Sequence, residues 1–333
     1  ALGMLTDLVR RHPGFRITLS MSGTFLEQAT LYEPRVINAL RSLLDVGRGS
    51  QQVEFLNETY FHSLTSLFSD PHKEEFREQV TGHRECIRKL FGIFPLSFRN
   101  TELIYNNALA DIVADMGYLS ILCEPRWHSE DASEADPMQT NSVYRARGTN
   151  LIVIPRNRVL SNQLAYGFSQ RYLTPEQYAG SIASVDGTVV LLGYDLEHIG
   201  GYIREDEGIF DFWRGMPAAL EKYPDVRIET PTNVAARYKY ETCPSLDLQN
   251  SSSSTWMDIV RDTFGWMESP TQYVLFKDLE NMEGSARRAG SEFLTRWRNL
   301  TTSDQLYYLN NRIDARQSLC RYNNPYDSSP VRA

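Results

Sequence analysis

Carboxyl, imidazole and guanidinium side chains in this chain gather in a few short segments: Glu58 with His62, Arg99 with Glu102, Glu124, Arg156, and Asp195 with Glu197 and His198. Each segment closes or directly follows an apolar, β-branched run. Two carboxyls facing one gap can divide labour: one stays ionised and attacks, the other arrives protonated and gives up its proton. Glu102 and Asp195 are the candidates for such a pair. A strand-end acid more often caps the next helix or is merely solvated, so the pair carries meaning only if the fold brings both ends to one place.

Other chemistries fit less well. The six histidines, His12, His62, His72, His83, His128 and His198, contain no HxxxH or HxH pair, so neither a catalytic metal nor another cofactor is expected. Net charge is −8 and no long basic run occurs, which disfavours a nucleic-acid partner. No stretch approaches the roughly 18 apolar residues of a membrane span. Cys86, Cys123, Cys243 and Cys320 are widely spaced without a CxxC pair, which suits free thiols in a reducing, cytoplasmic compartment.

The elements that must position these residues alternate. Strand candidates are residues 16–21, 53–57, 96–100, 118–123, 150–154 and 188–194, several of them continuous apolar runs suited to strands covered on both faces. Helical spacing lies between them at 23–46, 71–91 and 107–116. Such alternation predicts βαβ units and a parallel sheet, and a closed parallel barrel gathers its chemistry at the carboxyl ends of its strands. Beyond residue 230 a Ser-rich loop at 246–255 precedes helical patterns at 256–267, 272–282, 285–299 and 302–311, dense in Trp and Tyr. The chain opens directly on a helical pattern with no strand before it, so the repeat reads as cut and a truncated chain is expected.

Four segments, in order, resemble conserved regions of glycoside hydrolase family 57. VEFLNETYFHSL at 53–64 resembles the second region, FRNTELIYN at 98–106 the third with its nucleophilic glutamate, YDLEHIG at 194–200 the fourth with its catalytic aspartate, and TTSDQLYYL at 301–309 the fifth. FRITLSMSGTFLEQ at 15–28 and NNPYDS at 323–328 are similar to the α-amylase branch. The resemblance spans roughly residues 8–328, and its most specific part is the RNTELIYN segment.

The resemblance implies an α/β fold: a (β/α)7 barrel lacking its first strand over residues 1–235, followed by a small helical domain at 236–333 packed on the barrel. The His-Gln-Pro-type first region has no counterpart in this sequence. The implied activity is retaining hydrolysis of α-1,4-glucans, with Glu102 as nucleophile, Asp195 as general acid/base and an α-glucan or maltooligosaccharide as partner. Glu58, His62, Arg99, Arg156, Glu197, His198 and Asp304 become the implied substrate-binding residues. Trp256, Tyr307 and Tyr308 are the aromatics available to stack on sugars or pack on the barrel. Two segments depart from the pattern. Gly200-Gly201-Tyr202 stands where the family has Gly-Glu-His, and Ser161-Asn162-Gln163 where the amylase branch has Ser-Asp-Asp. The alternatives they leave open are a catalytically impaired glucan-binding protein and a 4-α-glucanotransferase.

Overall fold

The computed structural model describes residues 1–125, 138–171, 173–249, 253–256 and 263–309. The chain begins with α1 (Leu2–Arg11), whose Leu5, Leu8 and Val9 share one buried face, and passes into β1 (Ile17–Leu19). The helical pattern at 23–46 forms two helices, α2 (Gly23–Tyr32) and α3 (Pro34–Gly47), because Pro34 can begin a helix but cannot continue one. β2 (Val53–Phe55), α4 (Glu74–Phe91), β3 (Ser97–Arg99), α5 (Asn107–Asp115) and β4 (Ser120–Cys123) follow. The Asn106 side chain starts α5 by accepting the N–H of Leu109. Next come β5 (Tyr144–Ala146), β6 (Ile152–Pro155), α6 (Arg158–Arg171), α7 (Pro175–Ala183), α8 (Ile209–Leu220) and α9 (Pro231–Tyr238), then β7 (Ser245–Leu246). The last described part is helical: α10 (Phe264–Met267), α11 (Pro270–Ala289), α12 (Ser291–Leu300) and α13 (Ser303–Tyr307).

β1 pairs parallel with β2, and β3, β4 and β6 pair parallel in that order. A parallel bridge between Asn57 and Phe98 joins the two sets, so their carboxyl ends point the same way. Five of the six expected strands therefore contain a strand. The sixth, 188–194, carries no strand; it touches the array through one parallel bridge, Arg156 to Leu191. Two strands were not expected: β5, antiparallel to β6, and β7, parallel to β5. Neither lies in an apolar run that marks a strand in the sequence. Among the described residues no strand pairing closes the array into a ring. The chain is an α/β fold with a helical C-terminal region.

That region is fastened where the site lies. Leu64, Phe68 and Ile104, from the segments after β2 and β3, share one buried cluster with Trp266, Phe276, Trp297 and Leu306. A second fastening is ionic. Glu75 at the start of α4 is buried and accepts from Gln79, from Arg287 of α11 at 2.6 Å and from Arg298 of α12 at 2.6 and 2.9 Å. Asn323 to Ser328, His128, Cys320, the tail beyond 309 and most of the expected helix start at 257–262 lie outside the described residues. Of the other cysteines, Cys123 is buried and free, and Cys86 and Cys243 are half-buried and free.

Candidate active site

β2 and β3 each end in a polar turn, and the two turns meet. After β2 come Asn57, Glu58 and Thr59; after β3 come Asn100, Thr101 and Glu102, all six buried. The Thr59 and Thr101 hydroxyls are 2.7 Å apart and tie one turn to the other. Asn100 donates to Ser66 Oγ and to the Ile104 carbonyl, fixing the second turn. Three residues here have positive φ without being glycine: His62 at 49°, Glu102 at 55° and Leu103 at 52°. Side chains disfavour that region, and backbone held there tends to serve a site.

Glu102 is held from three sides. Its Oε1 accepts from His62 Nε2 at 3.0 Å and from Ser303 Oγ at 3.1 Å, and its Oε2 accepts from Trp256 Nε1 at 2.5 Å. His62 also faces Glu58, with Nδ1 3.7 Å from Glu58 Oε1. Glu58 in turn accepts from Ser20 Oγ at 2.5 Å and lies 3.3 Å from Arg99 Nη1.

The electrostatics follow from this arrangement. Burial pushes Glu58 up, but His62 and Arg99 outweigh it and hold the carboxyl at about 2. Burial likewise opposes charge on Glu102, yet the His62 bond, the His62 and Arg99 charges and the Trp256 N–H bring it below the ordinary value. Burial lowers His62, and its bonds to Glu102 and Glu58 more than reverse that, raising it to about 10. The trio is thus carboxylate, imidazolium, carboxylate.

Asp195 behaves oppositely. It retains solvent contact, yet the protein packed around its carboxyl is the largest influence and raises its pKa. Arg99 restrains the rise and the negative charge of Glu102 adds to it. Asp304 is likewise raised by its surroundings, then by Glu102 and Asp195. Glu102, Asp195, Asp304, Glu197, His62 and Arg99 therefore share one electrostatic neighbourhood. Two carboxyls in it, Glu102 and Asp195, are pushed apart in acidity.

The remaining expected residues take other positions. Arg156 is buried and directed to protein: its Nε lies 2.6 Å from Glu124 Oε2, and it also donates to Asn162 and the Gly193 carbonyl. It reaches the site through Trp256, whose ring lies 5.5 Å from its guanidinium carbon and 5.1 Å from that of Arg99. His198 Nδ1 donates to the Asp195 carbonyl at 3.1 Å, and its ring packs on Tyr166, Tyr194 and Tyr202. Glu197 is exposed. Sequence reasoning missed Ser303 and the Thr59–Thr101 link. Ser303 adjoins Asp304, so the TTSDQ segment was the available signal. Among the described residues no group of His, Cys, Asp and Glu is arranged to hold a metal, and no helix is long and apolar enough to cross a membrane.

The profile of the family described as Glycosyl hydrolase family 57 matches residues 2–249. A Methanocaldococcus jannaschii protein named "Putative alpha-amylase" is 30% identical over 313 residues, 88% of this chain. The chain spans 63% of that relative's length. In structure, the GH57-type branching enzyme of Pyrococcus horikoshii aligns with a TM-score of 0.69 at 13% identity, over 92% of this chain and 78% of that one. The 4-alpha-glucanotransferase of Thermococcus litoralis aligns at 0.59 and 15% identity, over 97% of this chain and 49% of that one. At such identities the two structural likenesses speak for the fold alone.

Proposed function

The chain belongs to glycosyl hydrolase family 57, and from that premise we propose that it is a retaining glycosidase of α-1,4-glucans in which Glu102 is the nucleophile and Asp195 the general acid/base. The observation that carries this reading is the buried cradle of His62, Ser303 and Trp256 donors around Glu102, which favours its carboxylate form, while Asp195 is pushed upward by its surroundings and by the Glu102 charge. Retaining hydrolysis requires that split, with the carboxyls about 5–5.5 Å apart across the glycosidic bond.

A Glu102 oxygen attacks the anomeric carbon, the glycosidic C–O bond breaks, and the departing oxygen takes the Asp195 proton. Asp195, now ionised, draws a proton from water, whose oxygen displaces Glu102 and restores the original configuration. If the hydroxyl of a second glucan takes the place of water, the same steps make a 4-α-glucanotransferase. Glu197 and Asp304, both exposed beside the pair, suit sugar hydroxyls, and Arg99 suits the same role from beside Glu58. Glu58 and Arg156, engaged by protein partners, act by holding His62 and Trp256. In this reading the parallel array is wall to a (β/α)7 barrel, and the 188–194 segment lies where its last strand is expected, held by the Arg156–Leu191 bridge.

A glucan-binding protein without turnover is the competing reading, favoured by Gly201 and Tyr202, where the resemblance leads to an acid and a histidine. Incubation with maltooligosaccharides, following reducing ends and chain-length distribution together, separates the cases. Hydrolysis raises reducing ends, transfer redistributes lengths without raising them, and binding alone changes neither. Glu102→Gln is expected to lower the rate roughly a thousandfold or more. An unchanged rate overturns the assignment.

A further inference from the structure

Resting on that reading of Glu102, we propose that Trp256 is a positioning residue: its indole N–H holds Oε2 of the nucleophile and thereby fixes which carboxylate oxygen attacks. The contact is one of three from the 255–256 dipeptide to Glu102. The Trp256 backbone N–H and the Thr255 hydroxyl both donate to the Glu102 carbonyl, at 3.2 and 2.6 Å. The 255–256 dipeptide thus grips backbone and side chain of a residue whose φ is 55°, a conformation that needs outside support.

The indole is itself fixed. The Arg99 and Arg156 guanidinium groups both lie against its ring, at 5.1 and 5.5 Å, and Glu124 anchors Arg156 by a buried bidentate pair at 2.6 and 3.4 Å. Cations beside an aromatic ring are attracted to its π-electrons, and drawing electron density from the indole makes its N–H a stronger donor. Buried Glu124 thereby acts on the nucleophile through Arg156 and Trp256, none of which need touch the sugar.

Counting acceptor sites assigns the oxygens. Each carboxylate oxygen offers two lone pairs. Those of Oε1 are both engaged, by His62 and Ser303, whereas Oε2 accepts from Trp256 alone among the described residues. Oε2 is therefore the oxygen with a lone pair left to form the bond to the anomeric carbon. Oε1 becomes the ester carbonyl and keeps its two donors as the C–O bond to the leaving group breaks and Asp195 supplies the proton.

Trp256→Phe keeps a ring between the two guanidinium groups and removes only the N–H. Losing a hydrogen bond to a charged group predicts a roughly ten- to hundredfold fall in kcat, with KM changed by less than about threefold. The acid limb of the pH profile should move upward, because Glu102 loses a donor that favours its charged form. Unchanged kcat and an unmoved acid limb overturn the proposal. A readout without turnover keeps it separate from the glycosidase reading. The indole N–H resonance lost in Trp256→Phe should shift in Glu102→Gln in ¹⁵N-labelled protein, and a resonance that does not respond overturns the contact even if no sugar is hydrolysed. Trp256→Tyr serves as the second variant if the phenylalanine form does not fold.

Discussion

His62 stands between two carboxylates that would repel each other without it, and its protonation is the price of keeping both ionised. Its pKa is raised to about 10 from an ordinary 6.5, so its stabilising contribution is fully present below pH 6.5 and is lost as pH rises through 10. Glu58, depressed to about 2 from 4.5, contributes above pH 4.5 and loses that contribution as pH falls toward 2. His62→Asn is therefore expected to destabilise the fold by about 3 kcal/mol at pH 6, and by clearly less at pH 10.5, measured by denaturant melts. Equal loss at both pH values would remove the imidazolium from the account. At this scale the sequence was informative where partners lie close along the chain: Glu58 and His62 are four positions apart and Glu102 sits in a specific motif. It was silent about Trp256 as a donor, because that contact joins residues 154 positions apart and an aromatic in a loop carries no mark of its partner.

Elements explain the departures from the family pattern better than single residues do. Gly200 has a φ of +91°, and a Cβ there would meet the Phe210 ring at 2.8 Å; a Cβ on Gly201 would lie 2.5 Å from the Glu197 carbonyl oxygen. On this backbone the turn after Asp195 has no room for the acid that the family resemblance implies, so replacing Gly201 by glutamate must displace the turn rather than restore a contact. The helices after residue 263 are set by a different device. Glu75 is the buried member of a network in which Arg287 and Arg298 also pair with Glu78, and Arg287 with Glu283. Glu75→Ala therefore removes the charge-assisted bonds to both arginines while leaving each a carboxylate, and is expected to cost about 1.5–3 kcal/mol. Because Ser303 and Asp304 open α13, which only two residues separate from α12, the same variant should lose activity at temperatures well below its melting point, a combination checked by calorimetry alongside the maltooligosaccharide assay. Five strands and the helices up to α5, with α11 and α12, were legible from apolar period, whereas the break at Pro34 and helices α6 to α9 were not read. β5 (YRA) and β7 (SL) were not, since neither lies in an apolar run and each takes its conformation from its neighbours.

Across the whole molecule, the two carboxyls share one electrostatic neighbourhood although β4 and β6 lie between β3 and the 188–194 segment, and the opposed shifts set a pH window. Activity should rise as Glu102 ionises, below the usual glutamate range, and fall as Asp195 loses its proton, above the usual aspartate range. With α-maltosyl fluoride, whose leaving group needs no proton, Asp195→Asn should keep most of the first-step rate that it loses with maltooligosaccharides; an equal loss on both substrates would take the acid role from Asp195. That the array is parallel was readable from strand-helix alternation, whereas its failure to pair 188–194 as a strand was not, because apolar content there satisfies packing without a ladder. Trp256 and Ser303 stand 154 and 201 positions after the glutamate they hold. By this reading a nascent polypeptide that has emerged only as far as Asp195 already carries both acids and can do nothing with them. On that reading, competence toward glucan waits for the segments that bring Trp256 and Ser303 to Glu102, and so comes late in the birth of the molecule.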